Sequence, residues 1–343
     1  LIRTIMKIFL DSIGCRLNQS ELETYARQFR ATGHELVDTA SAADIVIINT
    51  CTVTAAADSD SRQKIRQATR AGAEKIIVTG CWSSLYPDDA LALPGVSRVI
   101  HNRDKENLVP EILQIPIEQF DLEPIARQPI PGARLRTRAF VKVQDGCDNR
   151  CTFCITTIAR GTGQSRPISA VISDINQSLK DDDTGSAVKE VVLTGVHLGS
   201  WGNDLFPQSH LKQLVETILR ETDIPRLRLS SLEPWDLDED FFILWENHRL
   251  CRHIHLPLQS GCEATLRRMA RKTTPKEYAQ LVKLVRSVCP DIAVTTDIIT
   301  GFPGESDEEF YASLAFVQQM QFSGGHVFTY SERPGTAAAG MPN

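Results

Sequence analysis

Ala139-Phe-Val-Lys-Val-Gln-Asp-Gly146 leads directly into Cys147-Asp-Asn-Arg-Cys151-Thr-Phe-Cys154. The first half is an apolar run that reads as a strand, and the second sets three thiols in a C-x3-C-x2-C spacing just beyond it. Three thiolates can hold three irons of a [4Fe-4S] cluster and leave the fourth iron open, and soft sulfur ligands suit iron. An open iron is a chemical site.

Strands and helices alternate on both sides of this point. Downstream, residues 139–144, 190–195, 226–231, 253–258, 293–300 and 326–330 read as strands. Between them run apolar stripes at helical spacing: Ile168, Val171, Ile172, Ile175 and Leu179, then Leu211, Leu214, Val215 and Ile218, then Leu281, Leu284, Val285 and Val288. Two helix starts carry capping boxes, Thr274 with Glu277 and Ser306 with Glu309. Strands separated by helices in this way predict a partial (βα)6 TIM-like barrel over residues 138–343. Reactive groups in such barrels sit at the carboxyl ends of strands, where the cysteine triplet falls.

Upstream, residues 1–113 also alternate. Residues 6–13 read as a strand, and Asn18 with Glu21 reads as a capping box ahead of Leu22, Tyr25, Ala26 and Phe29. Residues 44–49 and 75–79 are further β-branched runs, each followed by a helical stretch. This pattern predicts an α/β domain with a doubly wound parallel sheet of the Rossmann or flavodoxin-like type. Residues 114–137 break the periodicity with Pro116, Pro124, Pro129 and Pro131 and read as a linker. The basic cluster Arg134, Arg136 and Arg138 reads either as a solvated charge run or as a phosphate contact.

The front domain carries its own dispersed cysteine set. Cys15, Cys51 and Cys81 each follow a predicted strand, beside Gly14, Asn49-Thr50 and Gly80. In an open parallel sheet the carboxyl ends of the strands line one crevice, so the three thiols are expected to converge there. Buried cysteine is also a common small hydrophobe, and Cys251 and Cys289 read as packing residues while Cys262 shows no pattern. Zinc competes with iron for both triplets, but structural zinc usually takes two cysteine pairs, and a fourth ligand from His197 or His255 is the form it would need here.

Composition adds boundaries rather than identity. The 343 residues are 42% hydrophobic and 23% charged, enough for about two globular domains. A net charge of −6 does not advertise nucleic-acid binding, though a local basic patch can still meet phosphate. No apolar run is long enough to cross a membrane and the start lacks an export signal, so no membrane partner and a cytoplasmic location are expected. Nine cysteines, an odd number in a long chain, fit thiolate ligation better than a disulfide framework.

The triplet with its penultimate aromatic, Cys147 to Cys154, resembles the signature of radical S-adenosylmethionine enzymes. Gly14-Cys-Arg-Leu-Asn-Gln-Ser-Glu21, Asn49-Thr-Cys51 and Thr79-Gly-Cys81 resemble the methylthiotransferase family within them. Ala159-Arg-Gly161, Leu193-Thr-Gly-Val196, Ser230-Ser-Leu-Glu-Pro234, His255-Leu-Pro-Leu-Gln-Ser-Gly261 and Asp297-Ile-Ile-Thr-Gly-Phe-Pro-Gly-Glu305 match further blocks of that family in order. The opening is most similar to the branch acting on threonylcarbamoyladenosine in tRNA. After Cys154 the family commonly has a Pro-Tyr pair where this chain has Thr157-Ile158.

The resemblance implies two [4Fe-4S] clusters and S-adenosylmethionine. Cys147, Cys151 and Cys154 would hold the cluster whose open iron chelates S-adenosylmethionine, and its cleavage would yield a 5′-deoxyadenosyl radical, chemistry no side chain can supply. The Gly195 region would receive the amino group, Ser230 and Glu233 the ribose or amino-acid end, and Phe153, Ile298 and Gly301 the adenine. Cys15, Cys51 and Cys81 would hold the cluster that delivers methylthio. Arg160 is expected at the barrel mouth, where it would meet a phosphate or a carboxylate of the modified base, or else form an exposed ion pair.

The implied reaction adds methylthio to carbon 2 of the hypermodified adenosine in a tRNA anticodon stem-loop, with a separate electron donor and sulfur donor, and the chain is expected to act as a monomer. Alternatives are isopentenyladenosine in tRNA, a ribosomal-protein aspartate, or a non-enzymatic iron–sulfur carrier or scaffold. A carrier would show four cysteines per set. Relatives usually continue into a small RNA-binding β-barrel, which this sequence is expected to lack.

Overall fold

The computed structural model describes residues 5–116, 130–131, 137–180 and 188–342. Of the proline-rich stretch read as a linker, residues 117–129 and 132–136 lie outside the described ones, and with them Pro124, Pro129, Arg134 and Arg136. The described residues fall into two compact units, the first within Leu1–Val141, Ile158–Gly161 and Ser173–Lys189, the second within Lys142–Thr157, Thr162–Ile172 and Glu190–Asn343.

In chain order the first unit contains β1 (Lys7–Ser12), α1 (Arg16–Ala31), β2 (Glu35–Leu36), β3 (Ile45–Thr50), α2 (Ala55–Arg70), β4 (Ile76–Gly80), α3 (Cys81–Leu85), α4 (Pro87–Leu91), β5 (Val96–Val99) and α5 (Leu108–Leu113). The five strands form one parallel sheet in the order β2-β1-β3-β4-β5. The continuous run Ile45 to Ile48 is apolar because both faces of β3 are covered. Ile45 and Ile47 pack with Leu22, Tyr25 and Phe29 of α1 and with Leu108 and Val109 of α5. Val46 and Ile48 pack on the other side with Ile65 of α2 and Trp82 of α3. A parallel sheet buried on both faces reads as just such a run.

The strand order has a physical consequence. From β1 the chain winds outward to β2, then returns past β1 to place β3 on its other side, so the connections leaving β1 and β3 diverge. That divergence opens a crevice at the carboxyl ends of the two strands.

The chain passes between units inside β6 (Arg138–Lys142). There follow β7 (Gln144–Asp145), α6 (Thr156–Arg160), β8 (Gln164–Ser165), α7 (Ile168–Leu179), β9 (Glu190–Thr194), α8 (Leu211–Glu221), β10 (Leu227–Leu229), α9 (Glu239–Phe242), β11 (His253–His255), α10 (Glu263–Arg268), α11 (Pro275–Val288), β12 (Ala293–Thr300), α12 (Asp307–Met320) and β13 (Gly324–Thr329). In the second unit β9 and β10 pair in parallel, as do β11, β12 and β13. A parallel bridge between Ser231 and His255 joins the two groups. Just beyond β6, Val143 donates to Thr194 O at 2.9 Å. Strands laid side by side in chain order with intervening helices are the partial barrel that the periodicity predicts.

The predicted helix starts fare unequally. Thr274 and Glu277 form the full reciprocal box at the head of α11. Ser306 accepts from Glu309 N at the head of α12, but the Glu309 carboxylate turns instead to Arg268 and Thr265. Asn18 and Glu21 do not cap α1: the helix begins at Arg16 with Cys15 as its N-cap residue. Both side chains are drawn into a buried polar site, where stronger partners outcompete a terminal N–H.

Candidate functional site

Cys15 follows β1, Cys51 follows β3, and Cys81 opens α3 after β4, so the front unit sets three thiols along the crevice. Two glycines make the approach possible. Gly14 has φ +94°, and a Cβ there would lie 2.6 Å from Cys51 Sγ. Gly80 has φ +98°, and its Cβ would lie 2.3 Å from Thr50 O. Left-handed backbone and absent side chain are both required at these turns.

Burial pushes the Cys51 thiol up to about 11, and the neighbouring Cys15 and Cys81 sulfurs push the same way. Cys15 presents surface to solvent, yet protein atoms crowd its sulfur and raise its pKa, against the downward pull of the Arg160 charge. The thiols thus feel one another, and Cys15 and Cys81 share a cation, Arg160.

That cation is held in a buried network. Glu21, 4% exposed, meets Lys105 Nζ at 2.5 Å, Arg160 Nη1 at 3.2 Å and Asn49 Nδ2 at 2.8 Å. Arg160 Nε lies 3.2 Å from Cys81 Sγ, and Asn102 Nδ2 lies 3.6 Å from the same sulfur. Arg160 is therefore buried in the front unit beside a cysteine, not in an exposed ion pair as one expectation held. Periodicity could not reveal this, because the residues that bury it are supplied by Asn18, Glu21 and Cys81, far away in sequence.

In the second unit the β7–β8 hairpin brackets the loop that carries Cys147, Cys151 and Cys154. Cys147 Sγ accepts from Asn149 N at 3.4 Å. His197 bonds Asp236 Oδ2 at 2.5 Å and Asn149 Nδ2 at 3.3 Å; burial works against its charged form, but Asp236 and Cys147 raise it to about 10. Burial raises the Cys151 thiol, and Arg271 opposes that rise. Arg271 Nη1 lies 3.8 Å from Cys151 Sγ; the guanidinium also grips both oxygens of Glu233 at 3.2 and 2.6 Å and stacks 4.6 Å over the Trp235 ring.

The residues expected to contact S-adenosylmethionine separate in an informative way. Ser230 is buried with no hydrogen-bond partner for its hydroxyl among the described residues, and such a group normally has one. Glu233 spends its carboxylate on Arg271. Gly195 packs on Gln144, whose Oε1 would be 3.0 Å from a Cβ and also accepts from His197 N. Gly301 has φ +70° with open space beside it. Phe153 joins an apolar cluster with Met269, Phe302 and Ala338. Ile299 is the β12 residue packed in that cluster; Ile298 is buried and shares its strand face with Thr296, which bonds Leu256 O.

Both triplets consist of free thiols. Among the described residues no three His, Cys, Asp or Glu side chains converge closely enough to hold a single metal ion. A cubane spreads its thiolates over three irons and so sets them further apart than the ligands of one ion. Soft donors on adjacent loops, glycine turns clearing the space, and N–H groups already directed at Cys81 and Cys147 fit such a group.

A parallel α/β chain with C-x3-C-x2-C beyond the first barrel strand falls in the class of radical S-adenosylmethionine enzymes. Residues 141–317 match the radical SAM superfamily, and residues 7–101 match the family described as "Uncharacterized protein family UPF0004". The radical S-adenosylmethionine methyltransferase TsrM from Kitasatospora setae shares the fold, with a TM-score of 0.69 at 16% identity over 94% of this chain and 73% of that one. Threonylcarbamoyladenosine tRNA methylthiotransferase MtaB of Bacillus subtilis is 38% identical over 345 residues, 97% of this chain and 75% of the relative. The MtaB of Thermotoga maritima is 35% identical, covering 97% and 76%. A tRNA-2-methylthio-N(6)-dimethylallyladenosine synthase of Caldicellulosiruptor saccharolyticus is 35% identical, covering 96% and 72%.

The chain belongs to the radical S-adenosylmethionine methylthiotransferase family. It is a transferase of the MtaB/MiaB type. Membership brings S-adenosylmethionine and a [4Fe-4S] cluster, and enzymes of the MtaB type carry a second cluster, consistent with the front domain. No described helix is long and apolar enough to cross a membrane.

Proposed function

We propose that this enzyme adds a methylthio group to carbon 2 of N6-threonylcarbamoyladenosine beside the anticodon of tRNA, in the cytoplasm. The observation that carries the two-cluster part of this reading is the placement of two separate three-cysteine sets at strand carboxyl ends, one in each unit. The substrate branch is supported by the Gly14 to Glu21 opening and by relatives named for threonylcarbamoyladenosine at up to 38% identity.

Cys147, Cys151 and Cys154 hold one iron–sulfur group, and Cys15, Cys51 and Cys81 hold the other. When bound, these groups and S-adenosylmethionine supply one-electron C–H activation and a transferable sulfur, neither of which side chains can provide. The chain's own residues bind and orient. Arg271 steadies Cys151 while fixing Glu233; Ser230 offers a buried hydroxyl to a polar group of the ligand; Phe153 and Ile299 form an apolar wall. Asn149 N–H supports the Cys147 sulfur.

The test is anaerobic reconstitution of the full chain followed by nucleoside mass spectrometry of tRNA from a strain lacking the activity. Iron should reach about eight per chain, and the methylthio mass gain should fall on threonylcarbamoyladenosine. A gain on isopentenyladenosine instead would move the enzyme to the other branch. Cys51→Ala should still cleave S-adenosylmethionine but form no methylthio product; transfer retained in that variant would remove the front set from the reaction.

A further inference from the structure

Arg160 sits among the front thiols with more constraint than a salt bridge needs. Its side chain is 2% exposed and ion-paired with Glu21. Nη2 donates to Asn18 Oδ1 at 2.8 Å, and that same oxygen accepts from Cys15 Sγ at 3.7 Å. Nε is left to point at Cys81 Sγ, 3.2 Å away. Asn102 reaches the same sulfur while its Nδ2 also donates to Ala159 O at 2.8 Å, so the backbone neighbour of Arg160 is tied to the site as well. Glu21 is in turn gripped by Lys105 and Asn49, which stops the carboxylate from following the guanidinium elsewhere. A buried charge with its partners fixed has one place to sit.

The chemistry of that position is specific. An electron added to a thiolate-bound iron–sulfur group spreads onto the ligand sulfurs, so N–H donors and positive charge at a sulfur favour the reduced form and raise the reduction potential. Resting on the reading of Cys15, Cys51 and Cys81 as iron ligands, we propose that Arg160, assisted by Asn102, is a positioning residue of the front site that stabilises negative charge on the Cys81 sulfur and so sets the reduction potential of the group bound there. This places Arg160 in the front site rather than on a phosphate or carboxylate of the substrate.

The experiment uses the full chain with Cys147, Cys151 and Cys154 all changed to alanine, so that only the front set can take up iron. After anaerobic reconstitution the midpoint is read by dithionite titration, followed by electron paramagnetic resonance. Arg160→Met should shift the reduced-to-oxidised ratio at a fixed potential at least tenfold toward the oxidised form, about 59 mV for one electron. Arg160→Lys, which keeps the charge but loses the planar fork, should recover part of that shift, and Asn102→Ala should show a smaller shift in the same direction. A loaded Arg160→Met protein with the parent midpoint overturns the proposal. Should Arg160→Met fail to fold or load, Arg160→Lys and Asn102→Ala decide, and parent midpoints in both overturn it. If the triple-alanine parent takes up no iron, the ligand reading itself fails and this proposal falls with it, an outcome distinct from an unchanged midpoint.

Discussion

Replacing Gly14 by alanine should damage the front site through a contact that a matched glycine lacks. Gly14 and Gly72 have nearly the same φ, +94° and +96°. Alanine in a left-handed conformation costs about 1–2 kcal/mol at either place. At Gly72 the new Cβ meets nothing within 4 Å, so the cost ends there. At Gly14 it lies 2.6 Å from Cys51 Sγ and 2.7 Å from Cys51 Cβ, and Cys51 follows a strand buried on both faces and cannot retreat without moving it. Overpacking of this kind adds about 1–3 kcal/mol, for a total of about 2–5 kcal/mol against about 1–2 kcal/mol for Gly72→Ala. Because the chain has two units, the measurement is native-state hydrogen exchange of the peptide spanning Ile45–Thr50, which reads the opening of β3 directly. Gly14→Ala should lower its opening free energy by the larger amount and reduce iron uptake at the front set, while Gly72→Ala should leave iron uptake intact. Equal losses in the two variants, or full iron loading of Gly14→Ala, would refute the argument that glycine is there to clear Cys51.

Arg271→Met should destabilise the second unit by about 3 kcal/mol, since it leaves the mostly buried Glu233 carboxylate without its ion-pair partner; a double-mutant cycle with Glu233→Gln, followed by urea unfolding, should return a coupling of about 1–3 kcal/mol, and strict additivity would show the pair to be incidental. Hydrogen bonding to Arg268 holds the Glu309 carboxyl below its usual range, so the pair contributes stability above about pH 4.5 and loses it as the pH falls through the lowered value. Glu309→Gln should therefore be less stable than the parent near neutrality and converge with it in acid, and a pH-independent difference would contradict the pairing. Thr274→Ala removes the donor-acceptor exchange at the head of α11 and should cost about 1 kcal/mol in thermal or urea unfolding, with Thr274→Ser restoring most of it.

Much of the fold is legible before any coordinates, because alternation of apolar runs and helical stripes is a local property of the chain. The β3 run was readable as a β-branched strand of a parallel sheet, and the capping box of α11 was readable from Thr274 and Glu277 alone. The positions of the six site cysteines relative to strand ends follow from the same local pattern. Asn18 and Glu21 mislead for a physical reason: the three-residue separation of a capping box is also a separation that puts two side chains on one helix face. Here that face looks into a buried polar site containing Lys105 and Arg160, where a carboxylate is held more strongly than at a helix start. Arg271, Asp236 and Asn102 were not assigned roles from sequence, and His197 was weighed only as a fourth zinc ligand, since a lone polar residue carries no spacing signal and acquires meaning only from the partner opposite it.

What the chain settles by itself is its order of strands and helices, the glycine turns and which loops bear thiols, all consequences of short-range periodicity and backbone freedom. Which side chains face those thiols was decided only by tertiary folding. The strand order β2-β1-β3-β4-β5 gathers Cys15, Cys51 and Cys81 around one crevice, and burial then forces every charge nearby to find a partner. Arg160 beside Cys81, and Ile299 and Phe153 against the same apolar cluster, are results of that long-range packing, in which desolvation and side-chain facing, not sequence distance, choose the neighbours.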